Sequence, residues 1–164
     1  MIFYVNYNTK RNTALDTLFR DHHNGLITAR LIKKNSPENP NLPKTIEGKR
    51  DYVIRFYQDE LIRHFLNEEK ILFPAVKGKE SEIDNIISEL TDDHRKIENL
   101  IDVLLTGKNV ENILNILGVT LEVHIIKEEK ILFKIIQVIL SKEELNNIGE
   151  ILSKTLRIKN GEQP

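Results

Sequence analysis

Apolar side chains recur at three- and four-residue intervals along most of the chain, which is the pattern of amphipathic α-helices. It predicts four long helices over about residues 12–34, 45–73, 81–105 and 110–140, and a shorter fifth helix over about 142–157. No internal segment alternates apolar and polar residues as a half-buried strand would. The expected fold is all-α: an antiparallel up-down four-helix bundle with an additional C-terminal helix.

Proline and capping signals mark the ends of these helices. Three of the five prolines fall in NSPENPNLPK at 35–44, which predicts a surface connection between the first two helices. Pro74 is expected to end the second helix. Ser141 and Glu144 have the spacing of a capping box, which predicts the start of the fifth helix.

Length and charge narrow the class of protein. The 164 residues are one domain's length, so residues 1–164 are expected to form a single domain with a bundle over about 12–140. An irregular arm is expected at 2–7, and residues 159–164 are expected to fray. Lys and Arg number 24 against 25 Asp and Glu, so no basic excess points to a nucleic-acid partner.

The chain has no cysteine and five histidines. The absence of cysteine excludes disulfides, thiolate zinc sites, iron–sulfur clusters and a cysteine nucleophile. With no apolar run of about 18 residues, no membrane partner is expected, and a cytoplasmic location is predicted. Any metal must therefore be held by imidazole and carboxylate. No glycine-rich phosphate loop, HExxH motif or serine elbow indicates another chemistry.

One internal repeat carries the candidate chemistry. His64-Phe-Leu-Asn-Glu68-Glu-Lys-Ile-Leu-Phe recurs 60 residues later as His124-Ile-Ile-Lys-Glu128-Glu-Lys-Ile-Leu-Phe, with seven of ten positions identical. Four residues make about one helical turn, so the histidine and glutamate of each copy leave the same face. This pairing suits iron, manganese or zinc. The second glutamate of each copy is expected to pair with cations rather than to bind metal.

The remaining histidines lie in the middle of the other two long helices. His94 follows an Asp-Asp pair, and His22 and His23 follow a single Asp. Adjacent helical residues point about 100° apart, so one of His22 and His23 is expected to face the ion. The apolar stripe before them favours His22, whereas the stripe after them favours His23. Two such halves, related by a pseudo-twofold axis, would supply four histidines and two bridging glutamates to two ions. The remaining coordination positions could take solvent, an oxo or hydroxo bridge, or a small diatomic ligand.

Over about residues 12–140 these motifs resemble the hemerythrin-like proteins. That family has a histidine on the first and third helices and HxxxE on the second and fourth, and Asp21-His22-His23-Asn24 is similar to its first-helix motif. The resemblance implies two iron ions in a four-helix bundle, with zinc or manganese as alternatives for the same ligands. It also implies a sensor, carrier or scavenger of O₂ or NO.

The chain departs from the oxygen-carrying members in two places. They have HxxxH on the third helix, where this chain has His94-Arg-Lys-Ile-Glu98, and an aspartate where this chain has Glu128. The resemblance is therefore closer to the branch with two HxxxE motifs, which is linked to O₂ or NO sensing, iron handling and iron–sulfur repair. The repair proteins usually carry an N-terminal cysteine, which this chain lacks.

The candidate ligand set therefore includes every histidine and three glutamates. Two other functions stay open. The same site could catalyse oxidase, peroxidase or NO-reducing chemistry. Alternatively, a bound metal could stabilise a helical surface that binds a protein partner, and the fifth helix is the candidate surface. The candidate metal ligands are His22 or His23, His64, Glu68, His94, His124 and Glu128, with Glu98 as a further candidate.

Overall fold

The computed structural model describes residues 11–159, with side chains up to residue 155. Within that range every regular element is helical, which confirms the all-α prediction. No helix of the described part combines the length and the apolar character needed to cross a bilayer. The arm predicted at 2–7 and the frayed tail predicted after residue 159 lie outside the described residues.

Five helices follow one another with short connections, except for the proline-rich segment between the first two. A single 3₁₀ turn, Thr13–Leu15, leads into the first helix. The helices are α1 (Asp16–Ile32), α2 (46–76), α3 (Ser81–Leu105), α4 (110–139) and α5 (Lys142–Lys159).

Helices α2 and α4 contain π-helical turns that the apolar pattern did not predict. One lies at Tyr57–Leu61, and the others lie at Glu68–Leu72 and Glu128–Leu132. The last two begin at the glutamates of the repeated motif, so the repeat holds in backbone conformation as well as in sequence. Single π turns inside α-helices are frequent at functional sites.

The prediction that α2 ends at Pro74 is wrong, because the helix continues to Val76. The π turn immediately before the proline explains this, since the Phe73 N–H bonds the Glu68 carbonyl five residues back. The turn is wider there, which relieves the clash of a proline ring with the preceding turn of an α-helix.

Helices α1 and α4 run in opposite directions and approach closely at two glycines. A β-carbon at Gly118 would lie 2.7 Å from the Ala29 carbonyl oxygen, and one at Gly25 would lie 2.7 Å from the Ile125 side chain. At Gly118 the obstacle is backbone, so the close approach requires glycine there, whereas at Gly25 it is the end of the Ile125 side chain, which can move.

The buried apolar residues form two clusters along the helices. In α1 one cluster ends at Leu18 and the other resumes at Ala29. In α3 the corresponding residues are Leu90 and Ile97. His22 and His94 lie in these gaps. In α2 the gap runs from Phe65 to Leu72 and in α4 from Ile125 to Leu132, and Glu68 and Glu128 lie in them.

Helix α5 packs on the body of the protein. Ser141 and Glu144 form the predicted capping box, with the Ser141 N–H donating to Glu144 at 2.8 Å and the Glu144 N–H donating to the Ser141 hydroxyl at 3.2 Å. Leu145, Ile148 and Leu152 are buried in the first apolar cluster. This burial leaves less of α5 available as a surface for a partner.

Candidate metal centre

Six side chains from α1, α2, α3 and α4 meet in the layer between the two apolar clusters. Each is at most 2% exposed, so none is an ordinary surface polar residue. Buried charged groups of this kind are stable only when they are paired or bind a metal. The six are His22, His64, Glu68, His94, His124 and Glu128.

These residues form two overlapping groups, each of which could hold a metal ion. One group contains His22 and His64 and the other contains His94 and His124, while Glu68 and Glu128 belong to both. Within each group the ligand atoms lie within 4.8 Å of one another. The two rings of each histidine pair meet edge to face, with centroids 4.9 Å apart in the first group and 4.8 Å in the second.

The Nε2 atom of each histidine faces an oxygen of a shared glutamate. A metal ion with ligands at about 2.1 Å and ligand–metal–ligand angles between about 90° and 110° holds those ligand atoms about 3.0–3.4 Å apart. The observed Nε2···Oε separations fall in the same range. They are 3.0 Å for His22–Glu128, 3.2 Å for His64–Glu68, 3.2 Å for His94–Glu68 and 3.4 Å for His124–Glu128.

The four Nε2 atoms and all four oxygens of Glu68 and Glu128 are buried, and none of them makes a hydrogen bond of normal geometry. Leaving a buried polar atom without a hydrogen bond costs about 1–3 kcal/mol, and more when the group is charged. The ion-pair contacts among these atoms satisfy them only in part, whereas bound cations would satisfy all of them together, so the cluster fits a metal centre.

The opposite ring nitrogen, Nδ1, faces a carboxylate from another helix. Such contacts orient a metal-binding imidazole and keep Nε2 free to bind. In each contact a carboxylate of one helix faces a histidine of the next helix, and α4 in turn faces α1. The four contacts therefore form a closed circle through α1, α2, α3 and α4. The distances are 3.3 Å for Asp21–His64, 2.8 Å for Glu69–His94, 3.6 Å for Asp93–His124 and 3.0 Å for Glu129–His22.

Sequence reasoning missed this set of contacts, although a signal for it exists. Each ligand histidine of α1 and α3 follows an aspartate directly, and each shared glutamate is followed directly by another. The neighbour of each of these ligands thus holds the histidine of an adjacent helix. The cation pairing expected for Glu69 is present as well, since Arg95 binds both of its oxygens.

Without a metal the clustered charges stabilise one another. Burial opposes the charge on His64, but Glu68 and Asp21 raise the pKa of its imidazole to about 9. Burial likewise opposes the charge on Glu68, yet the surrounding histidines hold the pKa of its carboxyl well below the usual range. Protons can therefore hold the cluster together when no metal ion is bound.

Phenyl rings pack against two of the imidazoles. The ring of Phe133 stacks on His22 with centroids 5.3 Å apart and an interplanar angle of 4°. The ring of Phe65 stacks on His94 at 3.9 Å and 16°. These rings exclude water from the layer, as expected from the apolar stripes.

The structure does not bring His23 or Glu98 to this cluster. His23 is exposed, because it points about 100° away from His22 on the same helix. Glu98 binds Arg95 with both oxygens at 2.6 Å, and its side chain is 31% exposed. Glu98 lies one turn after His94 on α3 but is only partly buried, and its carboxylate pairs with Arg95 instead of joining the cluster.

The family comparison agrees with this arrangement. A family model described as hemerythrin HHE cation binding domain matches residues 13–136, which include the whole cluster. No match was found among curated proteins or among solved structures. With two HxxxE helices, two further histidine helices and a match over most of its length, the chain belongs to the hemerythrin HHE cation-binding domain family.

Proposed function

We propose that the protein is a cytoplasmic, non-haem di-iron protein that binds O₂ or NO as a sensor, carrier or scavenger. Its four long helices would form an antiparallel up-down bundle around two ions. The observation that carries the proposal is the sharing of Glu68 and Glu128 between two groups of histidines. Carboxylates shared in this way suit a bridged pair of ions better than a single ion.

Each ion would have two imidazoles and an oxygen from each of the two glutamates. His22 and His64 would hold one ion, and His94 and His124 the other. Iron bound here supplies a redox-active centre with coordination positions left over for a small ligand. Zinc or manganese would fit the same donors, so metal analysis is the first requirement.

The residues around the cluster set what can reach it. The phenyl rings of Phe65 and Phe133 lie against the imidazoles, and the glutamates are fully buried. Such a dry layer favours small neutral molecules over ions or organic substrates. The Nδ1 contacts meanwhile hold each imidazole in one orientation, so ligand exchange need not disturb the protein donors.

The decisive experiment is metal analysis of protein purified without chelator, followed by loading with iron(II) under anaerobic conditions. We expect two iron ions per chain and a change in the optical spectrum on addition of O₂ or NO. A loaded protein with fewer than two ions per chain, or with no spectral response to either gas, would contradict the proposal.

Two neighbouring histidines provide a matched pair of variants. His22→Ala removes a donor from the first group and should lower the iron content. His23→Ala changes the adjacent, exposed residue and should leave iron content and spectrum unchanged. Equal losses in the two variants would show that the effect is on folding rather than on ligation.

A steady-state assay of the loaded protein separates binding from catalysis. Turnover of peroxide, O₂ or NO with a reductant, above the rate of free iron, would assign the protein to the enzymes instead. The same variants apply, because both functions require the same donors.

A further inference from the structure

The four carboxylates that face Nδ1 atoms differ in one respect, their pairing with cations. Asp21 binds Arg63 at 3.1 Å, Asp93 binds Lys127 at 3.2 Å, and Glu69 binds Arg95 through both oxygens. Among the described residues, Glu129 forms no ion pair with lysine or arginine, and its carboxylate pairs with His22. Of the four carboxylates in the circle, Glu129 is therefore the one whose charge is not offset by a lysine or an arginine of the described residues.

This difference arises from one residue in each half of the chain. Arg95 directly follows His94 on α3, and the residue that directly follows His22 on α1 is His23. Solvent does not explain the difference, because the side chains of Glu69 and Glu129 are similarly exposed, 21% and 27%. The two glutamates are thus a matched pair that differs in the presence of a guanidinium.

A carboxylate on Nδ1–H makes the imidazole a stronger donor at Nε2. A guanidinium that binds both oxygens of that carboxylate withdraws charge from them and weakens the effect. Glu98 also binds Arg95 through both oxygens, so the guanidinium is shared between two carboxylates and offsets part of the charge of Glu69. His22 is therefore the stronger donor and His94 the weaker one.

We propose that Glu129 and Arg95 would make two bound iron ions inequivalent, so that an ion held by His22 and His64 would have the lower reduction potential. Glu129 is a positioning residue that increases electron donation through His22, and Arg95 decreases donation through His94 by offsetting part of the charge of Glu69. This inference rests on the proposed di-iron function. It assigns the lower of the two potentials to the group that contains His22.

The test is a redox titration of the iron-loaded protein with mediators, followed by optical and electron paramagnetic resonance spectroscopy. Removal of two electrons in sequence gives two potentials. Glu129→Gln keeps the size of the side chain but removes its charge, so we expect the first potential to rise and the second to change much less. Arg95→Gln frees Glu69, so we expect the second potential to fall and the gap between the two potentials to narrow.

The variant Arg95→Lys distinguishes an effect of the charge of Arg95 from an effect of Arg95 on the fold. Lysine keeps a cation beside Glu69. We therefore expect the second potential of Arg95→Lys to lie much closer to that of the unchanged protein than the second potential of Arg95→Gln does. A structural effect of Arg95 would instead appear equally in the glutamine and lysine variants.

Each outcome decides the inference. It is overturned if Glu129→Gln shifts the second potential rather than the first, or if both variants move both potentials equally. If Glu129→Gln binds no iron, the potentials of Arg95→Gln and Arg95→Lys test the inference by themselves. The Arg95 side chain is half exposed, so its replacement should not disturb the fold of the cluster. Failure of the unchanged protein to load two iron ions would be a failure of the proposed function, and is seen before any variant is made.

Discussion

The carboxylate of Glu69 lies 2.8 Å from Nδ1 of His94. The preceding residue, Glu68, lies 3.2 Å from Nε2 of the same ring. Two consecutive residues of one helix ordinarily point about 100° apart, and here both reach one imidazole. The π turn that begins at Glu68 accompanies this arrangement, and the second repeat copies it around His22. One glutamate of each pair is thus available to metal and the next orients the histidine.

Replacing a shared glutamate should weaken the binding of both metal ions, whereas replacing a histidine should weaken the binding of one. We expect Glu68→Gln to weaken the binding of both metal ions, because Glu68 belongs to both groups. His124→Asn should weaken one ion selectively, as measured by stepwise titration with a spectroscopic divalent ion such as cobalt(II). Glu98→Gln is the matched control and should bind both ions normally. Loss of a single ion in Glu68→Gln would argue against a shared ligand.

Loss of an orienting carboxylate should weaken metal binding without unfolding the protein. Asp93 faces Nδ1 of His124 and also binds Lys127. We expect Asp93→Asn to lower metal affinity by roughly 10- to 100-fold, the usual effect of such partners. Glu89 binds the same lysine but is 64% exposed and contacts no ligand histidine, so Glu89→Gln is the control. Equal affinity in the two variants would show that Asp93 acts only through Lys127.

Metal should stabilise the fold more strongly as the pH rises. The pKa of His64 is raised from 6.5 to about 9 in the metal-free protein, so its contribution to stability is complete below pH 6.5 and is lost as the pH rises through 9. A metal-bound imidazole is neutral, so the loaded protein instead loses stability below pH 6.5, where the unfolded chain takes up protons.

The difference in Tm between loaded and metal-free protein should therefore widen between pH 6.5 and 9. Differential scanning calorimetry of both forms in the same buffers measures it. A difference that narrows over this range would show that protons do not compete with the metal at His64.

The contact between α1 and α4 should tolerate no side chain at Gly118. A β-carbon there would lie 2.7 Å from the Ala29 carbonyl oxygen. Forcing the helices apart costs about 1–3 kcal/mol, which exceeds the gain of about 1 kcal/mol from replacing a helical glycine by alanine. We expect Gly118→Ala to lower Tm by a few degrees. Val119→Ala, at the exposed neighbouring position, should change Tm by much less, and a stabilised Gly118→Ala would refute the close approach.

The helices and most members of the His/Glu cluster could be predicted from the sequence, because both depend on local spacing. The apolar period predicts α3 with the bounds that the structure shows, Ser81–Leu105. The HxxxE spacing places His64 beside Glu68 and His124 beside Glu128, since four residues make one turn of any α-helix. The capping box of α5 is local in the same way.

Tertiary packing decided the rest. Both His22 and His23 fit the apolar stripe, and only the positions of α2 and α4 bring His22 into the cluster and leave His23 in solvent. Glu98 has the spacing of a ligand, but its carboxylate pairs with Arg95 on the same helix and does not join the cluster that the four helices form. The sequence by itself thus determined which donors exist and on which helices they lie, because helical periodicity is a property of neighbouring residues. The tertiary structure determined which donors face one another, because that depends on how each helix is rotated about its axis and packed against the others.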